Sequence, residues 1–529
     1  MNTLGQTLSP WMAFPVPEHA PLGGNARADV CVVGAGIAGM TTAYLLSQKG
    51  YTVIVLDDGR VGGGMTQRTT GHLVNAIDDR WHVVEKLHGL DGARLAAQSH
   101  TGAIDAIEGI ARREAIECDL ERLDGYLFVP PHGDQAEIDD ELAAARRAGI
   151  EGVELAARAP IDGFDTGRCL RFPKQGQIHP LKYLAGLARA IERDRGSIHC
   201  GTHAEEVRDG RHPCVLTREG YRVDCDAVVV ATNTPINDRV MIHTKQAPYI
   251  TYVIAARVPR GTVALALLWD TGDPYHYVRI IPGHDGNGDI LLVGGEDHKT
   301  GQAHDGLERF DALARWVRER YPMAREILFR WSGQVMETHD HLAFIGRNPG
   351  EDNVYIATGD SGMGLTHGTI AGLVITDLIH GAEVPWAVLY DPARITLKSA
   401  PTFTRETANM AWQYADWLTA GEAKEEEIAA GSGAVVRRGA RKIALYRDPA
   451  GELHEMSAVC THLGCIVTWN DAEHTWDCKC HGSRFDALGQ VLSGPAVADL
   501  KPDEAVTRPS SGRSAQVRGA SEEVLQRRG

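Results

Sequence analysis

Several kinds of feature are missing from this 529-residue chain, and each absence closes off a class of function. No apolar run reaches the roughly 20 residues that a membrane-spanning helix needs. Met1 to Gly24 lacks the charged start and apolar middle of a signal peptide, and no twin-arginine export signal occurs. Basic runs are absent too. With 54 Lys and Arg against 70 Asp and Glu, the formal net charge of −16 argues against nucleic acid and against an anionic membrane surface as partners. There is no internal repeat and no long low-complexity tract. Paired cysteine spacing is missing over most of the chain: Cys31, Cys118, Cys169, Cys200, Cys214 and Cys225 are scattered, as reduced and mostly buried thiols are in a reducing compartment. A soluble, cytoplasmic protein is the expectation. What the chain does have is length, and at 43% hydrophobic it exceeds what one core holds, so two or three domains are expected.

The other four cysteines concentrate in Cys460-Thr-His462-Leu-Gly464-Cys465 and Cys478-Lys-Cys480-His481-Gly482-Ser483. Each half offers a thiolate and an imidazole from a tight glycine-containing loop. That is the ligand set of a [2Fe-2S] cluster with cysteines on one iron and histidines on the other, whose neutral imidazoles raise the potential to roughly −150 to +300 mV. A structural zinc site also takes two Cys and two His, but its usual signature opens with two closely spaced cysteines, unlike Cys460 and His462. The segment resembles the Rieske domain, with Ser493-Gly494-Pro495 similar to the proline loop that covers the cluster. The resemblance implies that Cys460 and Cys478 bind one iron, that His462 and His481 bind the other, and that Cys465 and Cys480 form a disulfide. Ser483 matches the serine that donates to a bridging sulfide. Phe485 stands where high-potential members carry a tyrosine, which implies a potential in the middle or lower part of the range.

Near the other end, the apolar strand Ala28 to Val33 runs into Gly34-Ala35-Gly36-Ile37-Ala38-Gly39, and Met40 to Gln48 continues as a helix that Gly50 stops. A second strand, Tyr51 to Leu56, ends on Asp57 and Asp58. The glycines allow a tight turn, an approach to pyrophosphate and close helix packing, while the acid accepts from ribose hydroxyls. A second glycine loop follows, Gly62-Gly-Gly64-Met-Thr66-Gln-Arg68-Thr-Thr70-Gly71-His72, which a flavin dinucleotide needs and an NAD domain does not.

Residues from Ala28 to Gly381 resemble the glycine oxidase and sarcosine oxidase family of D-amino-acid oxidase-like flavoproteins. Matching pieces are Ala204 to Arg208 with Val207, where a strand passes the adenine; Asp226 to Asn233 with Thr232; Asp340 to Gly346; and Val354 to Gly368 with Gly359, Gly362, Met363, Gly364 and Thr366. In the family the last loop meets the pyrimidine end of the flavin. The resemblance implies FAD, held non-covalently, because Arg68 takes the place of the attaching histidine with His72 one turn away. The arginine that clamps a substrate carboxylate in amino-acid oxidising members is replaced by Val335, two residues after Gly333, which counts against an α-amino acid substrate. Tyr277, Arg279 and His341 are the candidate catalytic residues.

The expected fold is an α/β, Rossmann-like FAD-binding domain with an inserted α+β substrate domain, followed by a small all-β Rieske domain. Expected boundaries are a leader at 1–27, the FAD-dependent oxidoreductase domain at 28–385, a helical and acidic solvated linker at 386–428, the Rieske domain at 429–512 and a tail at 513–529. Within the oxidoreductase domain, 28–90, 170–240 and 338–385 are assigned to FAD, and 91–169 and 241–337 to substrate. The expected function is an FAD-dependent dehydrogenase that oxidises a small amine, imino acid or related C–H donor and passes electrons singly through the cluster to an external ferredoxin-, cytochrome- or quinone-like acceptor. The rival is an oxidase using oxygen, its Rieske domain a structural or docking module. An oxygenase would need a two-histidine, one-carboxylate iron site after the cluster, and only a tail follows Pro495. A pyridine-nucleotide reductase would need a second GxGxxG, and none is found.

Overall fold

Val30–Val33, Val53–Leu56 and Ala227–Val230 are unbroken Val, Ile, Leu, Cys and Ala runs, the pattern of strands covered on both faces, and they form the centre of a six-stranded sheet. The sheet runs Phe344–Arg347, Val354–Thr358, Ala227–Val230, Val30–Val33, Val53–Leu56, Ser197–His199, parallel except at its Phe344–Arg347 edge. In this computed structural model residues 5–502 are described, apart from 132, 162, 238–241, 284, 285 and 287. Asn287, which with Gly288 reads as a hairpin turn in the sequence, the first four residues of the leader, the last ten assigned to the Rieske domain and the tail at 513–529 lie outside the described residues.

Helices Ile37–Gln48 and Gly364–His380 lie together on one face of this sheet. The other face, through Cys31, Val33, Ile54 and Leu56, is covered by a small sheet that contributes Ala204, Val215 and Val223. A second, nine-stranded sheet is built around the long strands Gln246–Val258, Asp289–Lys299 and Glu326–Thr338. Helix Gly306–Arg320 packs on it through Phe310, Leu313, Ala314 and Val317, the apolar stripe legible in the sequence.

Two local expectations shift. The sequence reads as a strand from Val263 to Trp269, but the strand begins at Leu267, and Leu267–Asp270 pairs in parallel with Glu121–Phe128. Cys169–Gln177 belongs to the nine-stranded sheet, so the substrate-side sheet runs past residue 169. Helix Pro180–Arg193, inside the stretch assigned to FAD, packs on Ile37–Gln48; it starts with proline in the first turn and His179 Nδ1 accepting from the Lys182 N–H at 3.3 Å.

The C-terminal unit is all-β: Ser432–Arg438, Arg441–Arg447 and Leu453–Ser457 form one sheet, and Val467–Asn470, Thr475–Cys478, Arg484–Phe485 and Val491–Ser493 another. Before it, helix Ala400–Gln413 buries no side chain. The acidic stretch is not simply solvated, because the Glu422 carboxylate accepts from the Val435 N–H at 2.9 Å and from Thr468 Oγ1 at 2.8 Å, tying the linker to the β unit. Among the described residues no helix is long and apolar enough to cross a membrane.

Candidate functional site

A cleft of about 310 Å³ opens at the carboxyl ends of the parallel strands, where ligands of doubly wound sheets bind. Gly34 and Gly36 form its floor; Gly36 caps helix Ile37–Gln48 without a side chain of its own, and Thr66 Oγ1 accepts from the Ile37 N–H at 3.1 Å. A Cβ on Gly39 would overlap the Gly34 carbonyl oxygen, so the helix packs this close only on glycine. Asp57 stands at the end of Val53–Leu56, held by the N–H groups of Ala35 at 2.6 Å and Gly59 at 2.8 Å. Burial and the neighbouring Asp58 push its carboxyl up to about 7. Of the residues singled out in the sequence, Gly34, Gly36, Ile37, Ala38, Asp57, Asp58, Gly64, Thr66, Thr232, Gly359, Gly362, Met363, Gly364 and Thr366 all line this one cleft. Ala35 and Gly39 stand behind its wall. Val207 does not reach the cleft: Ala204 is the only residue of its strand there, beside Thr202 and His203. The cleft fits a flavin dinucleotide by its groups: a helix N-terminus for phosphate, an acid for ribose, and open space over Gly64, where a Cβ would meet nothing within 4 Å.

At its far end the cleft acquires walls that sequence reading did not name: Trp269, Tyr275, Asp78 and Asp360, joined by Tyr277, His72 and the strand residues Gly333, Gln334 and Val335. Tyr277 Oη is 3.0 Å from Thr251 Oγ1. Carboxyls crowd this end. Burial, reinforced by Asp79, pushes Asp78 up to about 7; burial likewise pushes Asp297 and Asp360 up to about 6, and it lifts Glu337 well above the carboxylate range. The nearest cations are already engaged, Arg80 with Glu137 at 3.5 Å and Arg309 with Asp305 at 2.8 Å. His341 pairs with Asp79 at 2.8 Å, inside this carboxyl group but off the cleft wall. Arg279 is buried away from the cleft, its guanidinium spent on the carbonyl oxygens of Thr70 and Gly71 at 2.8 Å and Ile178 at 3.2 Å. Of the three catalytic candidates, then, Tyr277 alone lines the cleft.

The second site is a pair of matched loops. Gly464 N–H donates to the Cys460 carbonyl and Gly482 N–H to the Cys478 carbonyl, both at 3.0 Å, and both glycines sit at positive φ (77° and 81°), which an L side chain adopts only under strain. Between the loops Cys465 and Cys480 form the expected disulfide, their Cα atoms 6.4 Å apart. Cys460 and Cys478 are buried and outside that bond. The rings of His462 and His481 meet edge to face at 4.9 Å, and burial, with His462 and His243 beside it, pushes His481 down to about 3. A neutral imidazole is the form that ligates metal, so the donor set fits two irons and two sulfides. Ser483 Oγ accepts from the Ala496 N–H at 3.0 Å, which ties the proline loop to the second ligand loop. Phe485 is fully buried opposite Trp476.

The two sites are joined. Gln334, on the cleft wall, donates through Nε2 to the Gly482 carbonyl at 2.9 Å, one residue from His481. Arg68, in the second glycine loop, forms a wholly buried ion pair with Glu473 of the β unit at 3.0 Å. Val491 to Gly494 and Ala496 of the β unit line the same cleft as the glycine loops. From the linker, Tyr414 donates to the Leu463 carbonyl at 3.0 Å and Trp417 to the Gly464 carbonyl at 3.1 Å, so an aromatic strap holds the first ligand loop. None of these contacts carries a sequence signature, since each joins residues far apart in the chain.

Comparison with known proteins gives the same two parts. The family described as FAD dependent oxidoreductase matches residues 29–378, and the Rieske [2Fe-2S] domain matches residues 417–504. The chain is 30% identical over 495 residues to the Rieske 2Fe-2S iron-sulfur protein YhfW of Bacillus subtilis, covering 92% of this chain and 95% of that relative. It is 28% identical over 391 residues to gamma-glutamylputrescine oxidoreductase of Escherichia coli, covering 70% of this chain and 89% of the relative. Among solved structures, glycine oxidase from Geobacillus kaustophilus superposes with a TM-score of 0.58 at 19% identity, over 70% of this chain and all of that one, a likeness of fold.

Proposed function

The chain belongs to the FAD dependent oxidoreductase family and carries a Rieske domain behind it, and from that premise we propose that it is a dehydrogenase of cationic amines whose electrons leave the flavin one at a time through the cluster. FAD and a [2Fe-2S] cluster are its cofactors; bound, they supply a hydride acceptor and a one-electron acceptor respectively. One strand carries the reading. Glu326–Thr338 presents Gly333 to Val335 to the flavin cleft, while the Gln334 side chain holds the carbonyl beside the cluster ligand His481.

The chain's residues divide the work. Gly34, Gly36 and the N-terminus of Ile37–Gln48 bind the pyrophosphate, Asp57 the ribose, and the loop from Gly359 to Thr366 the ring end. Cys460, Cys478, His462 and His481 hold the cluster. Val335 leaves no clamp for a substrate carboxylate, and in its place Asp78 and Asp360 on the cleft wall, with Asp297 behind them, offer carboxyl groups that ionise against an ammonium group. Trp269, Tyr275 and Tyr277 give that end an aromatic wall that excludes water and favours cations. An amine substrate is also what the Escherichia coli relative's name describes. The cluster that Cys460, Cys478, His462 and His481 would hold would supply single electrons to an external acceptor.

Anaerobic titration with mono- and diamines tests this. Loss of flavin absorbance followed by the reduced-cluster signal in electron paramagnetic resonance is the expected result. A flavin that reduces and is reoxidised by oxygen while the cluster stays oxidised would replace this reading with that of an oxidase carrying a docking module.

A further inference from the structure

We infer that His243 is a positioning residue for the cluster: an imidazole from the flavin-side part of the chain that packs against both ligand histidines, steadies their rings and keeps water off that edge. Three rings form a closed triangle. His243 meets His462 at 4.9 Å and 75° and His481 at 5.8 Å and 66°, while His462 and His481 meet each other at 4.9 Å and 87°. All three contacts are edge-to-face, the favoured aromatic geometry, in which each pair contributes beyond its buried area. His243 is 2% exposed, although it comes from a short turn, His243–Lys245, rather than from a core strand.

That turn is fixed at its C-terminal end. Lys245 Nζ donates to the carbonyls of Pro392 at 2.8 Å and Arg394 at 3.1 Å, and the Lys245 carbonyl accepts from the His339 N–H at 3.1 Å. Directly after it, Gln246 Oε1 accepts from Thr358 Oγ1 at 3.1 Å, and Thr358 lines the flavin cleft. The ring covering the cluster ligands is thus anchored to the wall of the flavin site, and displacement of one is felt by the other.

The electrical consequence follows from charge. Two ferric ions, two sulfides and two thiolates sum to zero, and one added electron leaves the reduced cluster with one negative charge. Water stabilises the charged form more than a dry protein edge does. Removing the covering ring therefore favours the reduced state.

The test uses the full-length holoenzyme with no substrate, so it does not depend on the direction of electron flow proposed above; it does rest on the ligand assignment made there. His243→Ala and His243→Phe are titrated with dithionite while the cluster's electron paramagnetic resonance spectrum is recorded. In His243→Ala the g-values are expected to move and the midpoint potential to rise, whereas His243→Phe, which keeps a ring of similar reach, stays with the wild type. Loss of the cluster from the alanine variant with retention in the phenylalanine variant supports the role equally. An alanine variant with wild-type spectrum and potential overturns it, and so does a phenylalanine variant shifted as far as alanine. A wild-type protein with no Rieske signal would instead remove the ligand assignment.

Discussion

Changing Glu473 to Gln probes the joint between the two units at its most protected point. Its carboxylate accepts from Arg68 at 3.0 Å, from the Ser332 N–H at 3.2 Å and hydroxyl at 2.5 Å, and from the Thr7 N–H at 3.2 Å; the Arg68 and Glu473 side chains are both 0% exposed. Glutamine keeps the shape but removes the charge, leaving the Arg68 guanidinium buried without its counter-ion. Breaking one side of such a pair costs about 3–5 kcal/mol, because the surviving charge has lost water and gained nothing in its place. At about 1.4 kcal/mol per decade, that is roughly two to three and a half orders of magnitude in the equilibrium that keeps the units docked. Urea unfolding, followed separately by flavin fluorescence and by cluster absorbance, reads the loss, since a chain of several domains need not unfold in one step. A double-mutant cycle with Arg68→Met isolates the pair: the double variant is expected to lose less than the sum of the singles by about 0.5–3 kcal/mol. The pH dependence has a definite sign. Burial raises the Glu473 pKa, but Arg68 and Arg484 outweigh it and hold the value below normal. Its stabilising contribution is therefore complete above the ordinary glutamate pKa and is lost as pH falls through the depressed folded value. A Glu473→Gln variant within about 0.5 kcal/mol of wild type, the usual range for surface changes, or an additive cycle, would refute the reasoning.

Two further outcomes are expected. Asp78, with its carboxyl at about 7, and Asp297 and Asp360, at about 6, are largely neutral in mild acid and ionise as pH rises. Since an aliphatic ammonium stays charged over that range, kcat/KM for amines should rise from pH 5 to pH 7.5, and amine binding near pH 6 should release protons, measurable by calorimetry in buffers of different ionisation enthalpy. Asp78→Asn, on the cleft wall, should weaken amine binding, and unchanged affinity would sink the acidic-pocket reading. The Cys465–Cys480 bond closes a loop with a sequence separation of 15; opening a loop of that size costs roughly 3 kcal/mol on the chain-entropy account, so Cys465→Ser with Cys480→Ser should lower the cluster unit's urea midpoint and loosen iron binding, checked by iron content after dialysis.

Much of the site was legible because its chemistry is local. The glycine turn, the strand that feeds it and the acid at its end lie within Val30 to Asp57, and backbone rules tie residue type to position there. The cluster loops are legible for the same reason: a thiolate, an imidazole and a left-handed glycine occupy a few consecutive residues. Reading outward from those motifs was less secure. Arg279, a catalytic candidate, lies on the same strand as Tyr277, yet its side chain turns back onto the Thr70 and Gly71 carbonyls, because a buried guanidinium takes the nearest acceptors. Val207 lies on the expected strand, but only the first residue of that strand reaches the cleft.

By itself the sequence determined which cofactors this chain holds and the order of its domains, since glycine, cysteine and histidine spacing act through neighbours a few residues away. Tertiary structure alone decided how the two redox sites are joined. Arg68 with Glu473, Gln334 with Gly482, and His243 with His462 and His481 are contacts between residues 148 to 405 positions apart or drawn from different sheets. No local pattern marks them, because burial of charge and packing of rings depend on which surfaces meet after the chain has folded.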